Sequence, residues 1–159
     1  MARWTGTWLQ GPGVTLGELR NPSTWPGSRL GLPRDGSGSV ATFSVRAFGF
    51  VIDIVASALV GSLISGALDD PSPSTRQLVA LGVLLAEQVF FVALTGQTLG
   101  MRLLGVKVLR LSDVSRPPGL LAALGRALPL LLTVGLAGFF TRDGRGLHDL
   151  LAGCVVVRD

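Results

Sequence analysis

The sequence SVRAFGFVIDIVASALVGSLISGAL, residues 44–68, decides how this chain folds. As an α-helix rising 1.5 Å per residue, it is long enough to cross a hydrocarbon core of about 30 Å. Arg46 and Asp53 nevertheless lie within it, almost two helical turns apart, so both side chains point the same way. Ser57 and Gly61 continue this face. Because a charge is costly at bilayer depth, we expect the face to meet a partner or a wet cavity.

The composition of the whole chain indicates an integral membrane protein. Of its 159 residues, 48% are hydrophobic and 15% are charged, whereas a soluble domain carries about 25% charged residues. The formal net charge is +4, and all but one of the 14 basic residues are arginines. They flank apolar segments, where arginines set membrane topology, and do not gather on one face with aromatic platforms, as nucleic-acid binding requires. We therefore expect the lipid bilayer, and no nucleic acid, as a partner.

Residues 1–43 differ from the rest and are predicted to form an irregular cytoplasmic tail. Glycine, proline, serine and threonine dominate there and leave no helical or alternating period. The segment also carries three tryptophans and four arginines: Trp4, Trp8, Trp25, Arg3, Arg20, Arg29 and Arg34. The arginines favour an inside location, and the tryptophans are alternatively interpreted as anchors at the membrane interface or in a partner's groove. Residues 44–159 form the predicted transmembrane domain.

Two further apolar runs predict an all-α membrane fold with about three transmembrane helices. Residues 77–96 contain Glu87 near their centre, and residues 119–140 contain Arg126 and Pro129. Because proline is tolerated in a spanning helix but commonly kinks it, we interpret the third run as a kinked span, with a re-entrant hairpin as the alternative. A span would leave the C-terminus outside, whereas a re-entrant segment would keep it inside.

Two short segments complete the predicted domain. In the loop at residues 97–113, the sequence GQTLG that begins at Gly96 predicts a turn into a short interfacial helix. Within this loop, VKVLRL alternates as a short extended segment does. At the C-terminus, LHDLLAGCVVV predicts a short amphipathic segment of one or two helical turns with an apolar tail too brief to cross a membrane.

Three ionisable residues inside the apolar runs form a candidate site. Counted from the expected cytoplasmic ends of their helices, Asp53, Glu87 and Arg126 lie at similar depths of roughly 12 to 15 Å. One interpretation is an ion-pair network that holds the bundle together, with Arg126 as the partner of Asp53. A second is a cation or proton site, because the cluster has one acid in excess. A third is a set of charges that meets a partner's helix.

The residues give no support for an enzyme or for a cofactor. The adjacent pair His148 and Asp149 would point about 100° apart on a helix and so do not form a catalytic dyad by themselves. No serine or cysteine lies in a recognisable nucleophile elbow. The single cysteine, Cys154, excludes an internal disulfide and any multi-cysteine metal site.

The arrangement of motifs resembles the RDD family of small bacterial membrane proteins, named for one arginine and two aspartates. The resemblance covers roughly residues 42–157 and rests on three motifs: the first helix, GQTLGMRLLGVKV, and LHDLLAGCVVV. The positions that match are Arg46, Asp53, Gly96, Gln97, Thr98, Gly100, His148 and Asp149. Cys154 departs from the family, which more often has a threonine there. The resemblance implies a multi-pass protein of the bacterial plasma (inner) membrane, for which transport is often suggested.

The function that these observations favour is membrane transport of a small cation or solute, proton-coupled, through the intramembrane charge cluster. A chain with so few spans is expected to form a homo-oligomer or to join a larger membrane complex. The alternative is a non-catalytic accessory or assembly subunit that docks a membrane complex through its tryptophan-bearing tail. Copurification in mild detergent separates the two, because a stoichiometric unrelated partner favours the accessory role.

Overall fold

A computed structural model describes residues 25–114, 116–132 and 144–159 of this chain. A 3₁₀ turn at Ser28–Leu30 precedes the main elements, which are, in chain order, α1 (Phe43–Gly66), α2 (Pro73–Thr95), α3 (Leu99–Leu103), β1 (Val106–Arg110), α4 (Leu120–Leu132), α5 (Leu147–Leu151) and β2 (Cys154–Arg158). Within the described residues, α1 and α2 are the helices long and apolar enough to cross a membrane. The two spans predicted from the first and second apolar runs are therefore present as helices.

Helices α1 and α2 form an antiparallel hairpin. Ser72 begins α2 by accepting a hydrogen bond from the amide of Thr75 at 3.2 Å, and Pro73 occupies the first helical turn, where its missing amide hydrogen costs nothing. Gly96 ends α2 with a φ of 75°, a left-handed conformation that favours glycine. The chain thus turns sharply at both ends of the second helix.

The contact face of α1 consists of small and polar residues at every fourth position. Its buried residues are Gly49, Asp53, Ser57, Gly61 and Ser65. A Cβ atom added at Gly61 would lie 2.7 Å from the Cα of Ala80 on α2, so the two backbones approach closely, as membrane helices commonly do. The face predicted from Asp53, Ser57 and Gly61 is therefore the surface on which α2 packs.

A two-stranded antiparallel sheet closes one end of the hairpin. Val108 of β1 lies opposite Val156 of β2, and Val40 forms an isolated bridge with Val157. The sheet shares a core with α2, α3 and the start of α4, made of Ala41, Val92, Met101, Val106, Val108, Ala122, Ala123, Cys154 and Val156. The beginning of α1, the end of α2 and the C-terminus consequently lie together.

The sheet corrects the expected all-α class: the fold is mostly helical, with two strands. The interfacial helix predicted in the 97–113 loop is α3, and the extended segment VKVLRL contains β1. The apolar C-terminal tail, however, is a strand and not the end of an amphipathic segment. Its partner is distant in sequence, so no local period revealed the pairing.

The packed part of the chain begins before residue 44, where the predicted domain starts. Gly38 and Ala41 donate backbone hydrogen bonds to the carbonyls of Arg158 and Val156, at 2.9 and 3.0 Å. The indole of Trp25 donates to the carbonyl of Leu32 at 3.0 Å, within its own turn. The other two tryptophans of the predicted tail lie in residues 1–24, outside the described residues.

Helix α4 accounts for the first part of the third apolar run, and Pro129 lies inside it. The predicted kinked span also includes the residues that follow this helix. Residues 133–143 lie outside the described part of the chain. Helix α5 packs against α4 and leads directly into β2. The chain therefore returns, after the third run, to the end of the hairpin from which α4 starts.

The close packing at Gly61 predicts a position-specific loss of stability. Gly61→Ala should lower the melting temperature in mild detergent, because overpacking costs about 1–3 kcal/mol. Gly82→Ala is the matched control, since a Cβ at Gly82 meets open space and alanine favours the helix. Equal effects of the two substitutions would contradict the close approach of α1 and α2.

Candidate functional site

Asp53 is buried on α1 and accepts three hydrogen bonds from neutral donors. Its Oδ1 accepts from the amide of Gly100 at 2.6 Å. Its Oδ2 accepts from Thr98 Oγ1 at 2.6 Å and from Gln88 Nε2 at 3.1 Å. One carboxylate thus joins α1 to α2 and to the N-terminus of α3. Because both of its oxygens are occupied by donors, Asp53 holds the structure in place at this point.

The motif at residues 96–100 contacts the carboxylate of Asp53 through Thr98 and Gly100. Thr98 caps α3 by accepting from the amide of Met101 at 3.3 Å while donating to Asp53. A Cβ at Gly100 would lie 2.0 Å from the carbonyl oxygen of Gly49, so only glycine allows α3 to approach α1 this closely. Gln97 points to the sheet and donates to the carbonyl of Val106 at 3.1 Å.

Glu87 lies beside Asp53 and is only partly buried. Its Oε2 accepts from Ser57 Oγ at 2.9 Å, and its Oε1 accepts from the amide of Leu99 at 3.3 Å. Among the described residues, no cationic side chain forms an ion pair with Glu87 or Asp53. Two acids therefore meet at the junction of α1, α2 and α3.

Glu87 also lines a cavity of about 460 Å³, which we call the α1–α2 groove. The residues around it are Ala56, Ser57, Val60, Val83, Ala86, Glu87, Phe90, Phe91, Thr95, Gln97, Thr98, Leu99 and Arg102. Phe90 and Phe91 are largely exposed, so the groove lies on the outer surface of the hairpin. Its polar groups gather near α3, and its walls are otherwise apolar.

A second carboxylate, that of Asp149, is fully buried among cationic donors. Arg126 Nε donates to its Oδ1 at 2.8 Å, and both Nη atoms of Arg46 donate to its Oδ2 at 3.2 and 3.3 Å. Arg46 also donates to the carbonyl of Gly144 at 2.9 Å. The amide of Gly146 donates to Oδ2 at 3.3 Å and so caps α5. We call Arg46, Arg126, His148 and Asp149 the Asp149 cluster.

This arrangement corrects the predicted charge cluster. Asp53 and Glu87 do come together, but Arg126 pairs with Asp149 and not with Asp53. The prediction compared only how deep each residue lies along its own helix. It did not consider that the chain returns after α4 and places Asp149 between Arg46 and Arg126. The family positions include Arg46, Asp53 and Asp149 but not Arg126, so they gave no signal for the pairing of Arg126 with Asp149.

At neutral pH His148 is neutral and Asp149 is negatively charged. The pKa of His148 is lowered to about 4, mainly by burial; Asp149 raises it, and the nearby Arg126 and Arg46 contribute to lowering it. Burial by itself would raise the pKa of Asp149, but the positive Arg126, then His148 and Arg46, bring it below its usual range. The cluster therefore holds a carboxylate between two guanidinium groups, beside a neutral imidazole.

His148 is held tightly in this cluster. A Cβ added at Gly146 would lie 2.6 Å from the Cε1 of His148, so only glycine leaves room for the ring. The Nε2 atom lies 3.4 Å from Asp149 Oδ1. Both carboxylate oxygens of Asp149 accept hydrogen bonds, and these contacts connect α1, α4 and α5. The arrangement is that of a structural contact.

Comparison with known proteins identifies one family. A family model described as the RDD family matches residues 40–153, a range that contains both carboxylate sites. No curated protein and no solved structure matches this chain.

The low pKa of His148 predicts a pH-dependent stability. Between its usual value of 6.5 and about 4, the unfolded chain binds a proton at this residue and the folded chain does not. Stability should therefore fall as pH falls through this window, by up to about 3 kcal/mol. The measurement is the melting temperature in mild detergent as a function of pH.

His148→Gln should flatten the pH dependence between about 6.5 and 4, while any loss from Asp149 begins only below its own unfolded pKa. Asp69→Asn, in the exposed turn between α1 and α2, is the control and should keep the wild-type slope. An unchanged slope in His148→Gln would show that His148 is not the group that titrates.

Proposed function

This chain belongs to the RDD family, and from that premise we propose that it carries a small cation or a proton across a bacterial inner membrane. Glu87 is the group that takes up and releases the cation. The observation that carries the proposal is that Glu87 lines the α1–α2 groove beside a second acid, with no ion-pair partner among the described residues. Ionisable groups within spanning helices commonly mark ion or proton pathways.

The chain is a membrane protein with large apolar side chains on the outer faces of both long helices. The exposed ones include Phe48, Val51, Val55, Leu59, Leu63, Leu78, Leu81, Phe90, Phe91 and Leu94. A soluble protein rarely leaves so large an apolar surface uncovered. Lipid covers this surface, which includes the rim of the α1–α2 groove.

The two acids have different roles in this proposal. Asp53 accepts from three donors on α2 and α3 and keeps the junction rigid. Glu87 accepts from one hydroxyl and one amide, so each oxygen can accept a further hydrogen bond, and the residue lines the groove. Since one hairpin cannot enclose a pathway, a homo-oligomer would complete it.

The topology that fits this function has two full spans and a re-entrant third segment. The pairing of β2 with β1 supports it, because the chain leaves the sheet before α4 and returns to the sheet after α5. Cationic residues are concentrated at or next to the sheet, namely Arg102, Lys107, Arg110, Arg116 and Arg158. Asp69 and Asp70 lie at the opposite end. By the positive-inside rule, the sheet and both termini are cytoplasmic.

Cysteine accessibility tests this topology. Cys154 is buried, so the wild type gives the background of labelling. An impermeant maleimide applied to intact cells should label Asp69→Cys but not Ser37→Cys or Asp159→Cys, which require permeabilised membranes. Labelling of Asp159→Cys from outside, with Ser37→Cys protected, would instead favour three spans.

Flux through reconstituted vesicles tests the transport proposal. Glu87→Gln should abolish sodium, potassium or proton flux without lowering the melting temperature, because its oxygen can still accept from the amide of Leu99 and its amide group can donate to the hydroxyl of Ser57. Asp53→Asn should destabilise the protein, since its new amide group faces existing donors and an unpaired buried donor costs about 1–3 kcal/mol.

Asp69→Asn is the control and should keep wild-type flux. Unchanged flux in Glu87→Gln would exclude Glu87 as the transport group. Absence of flux in the wild type, together with a stoichiometric unrelated partner in mild detergent, would favour the accessory role instead.

A further inference from the structure

We infer that the α1–α2 groove binds one phospholipid whose headgroup carries both a phosphate and a primary amine. The ammonium pairs with Glu87, the phosphate pairs with Arg102, and one acyl chain lies along the apolar walls. This inference goes beyond transport and does not depend on it, because it concerns what occupies the groove at equilibrium.

The lining of the groove fits an amphipathic ligand. Its volume of about 460 Å³ lies within the range of sites for small organic ligands. The polar residues, Glu87 and Thr98 among them, are near α3, whereas Val60 and Val83 line the part farther from it.

The polar end of the groove carries one charge of each sign. Arg102 is exposed, and its guanidinium pairs with no described residue. Glu87 accepts from the amide of Leu99, which is three residues before Arg102 on α3. Arg102 therefore lies about one helical turn, roughly 5 Å along α3, beyond the amide that bonds Glu87, and both residues line the groove.

A phosphoethanolamine-type headgroup matches this pair of charges. Its ammonium and its phosphate are separated by two carbon atoms, so each can reach its counterpart while the acyl chains remain in the bilayer. A quaternary ammonium has no hydrogen to donate to Glu87. A phosphoglycerol headgroup leaves Glu87 without a cation and brings a second negative charge close to it. The primary amine is therefore the feature that the groove selects.

The position of α3 supports a lipid as the source of this headgroup. Leu99 and Leu103 flank Arg102 and are exposed to 45% and 66%, as expected for an interfacial helix whose arginine meets lipid phosphates. Phe90 and Phe91 are also exposed at the rim of the groove. A lipid can thus enter sideways from the bilayer without passing through water.

Lipid binding to the delipidated, purified full chain tests the inference. Native mass spectrometry would compare dioleoyl lipids with phosphoethanolamine, phosphocholine and phosphoglycerol headgroups. The wild type should bind the phosphoethanolamine lipid about tenfold more tightly than the other two, as one charge-assisted hydrogen bond implies. Glu87→Gln should remove this preference, and Arg102→Gln should weaken all three lipids.

Arg116→Gln, an exposed arginine outside the groove that pairs with Asp113, should bind all three lipids as the wild type does. Ala86→Phe should narrow the groove and weaken every lipid. Melting temperatures without added lipid confirm that each variant is folded. Equal binding of the three lipids, or tighter binding of the phosphoglycerol lipid, would overturn the inference. Because the assay has no ion gradient, its outcome is separate from that of the flux test.

Discussion

The carboxylate of Asp149 accepts hydrogen bonds from two guanidinium groups that arrive on different helices. Arg46 comes from the first turn of α1 and Arg126 from the middle of α4. Removal of one member of such a buried pair leaves an uncompensated charge, which costs about 3–5 kcal/mol. The position of α5 depends on this contact, and so does the strand β2 that follows it. Through β2, the sheet and residues 38–41 depend on it as well.

Asp53 and Asp149 are both fully buried, but the chain satisfies them in different ways. Asp149 lies between cations, so its charge is balanced locally. Asp53 accepts only from an amide, a hydroxyl and a side-chain amide, which satisfy its oxygens without neutralising it. Among the described residues, no cationic side chain pairs with Asp53 or with the neighbouring Glu87. Both carboxylates hold helices together, but only Asp149 does so through ion pairs with cationic side chains.

The sequence predicted the elements whose signals are local. The period of four in Asp53, Ser57 and Gly61 identified the face that packs on α2, and GQTLG identified the start of α3. The pairing of β1 with β2 joins segments distant in sequence, so the apolar residues of β2 looked like the end of a helix. The predicted pairing of Arg126 with Asp53 was wrong for the same reason, because Asp149 comes close to Arg126 only after the chain turns back. The contact of Arg46 with Asp149 was not predicted either, because the resemblance marked both as family positions without pairing them.

The hydrogen bonds of Asp53 explain why α1 and α2 of this hairpin pack in one axial register. Apolar helices in lipid gain little by sliding past each other, because lipid tails are as apolar as leucine. The small-residue face of α1 lets α2 approach but does not by itself fix the axial position. Asp53 does so, because its three donors lie on α2 and α3 at fixed heights. The close approach at Gly49 and Gly100 then has a functional consequence: it brings the amide of Leu99 to Glu87 and turns Arg102 toward the α1–α2 groove. The contacts that fix the register thus also build the polar end of the groove.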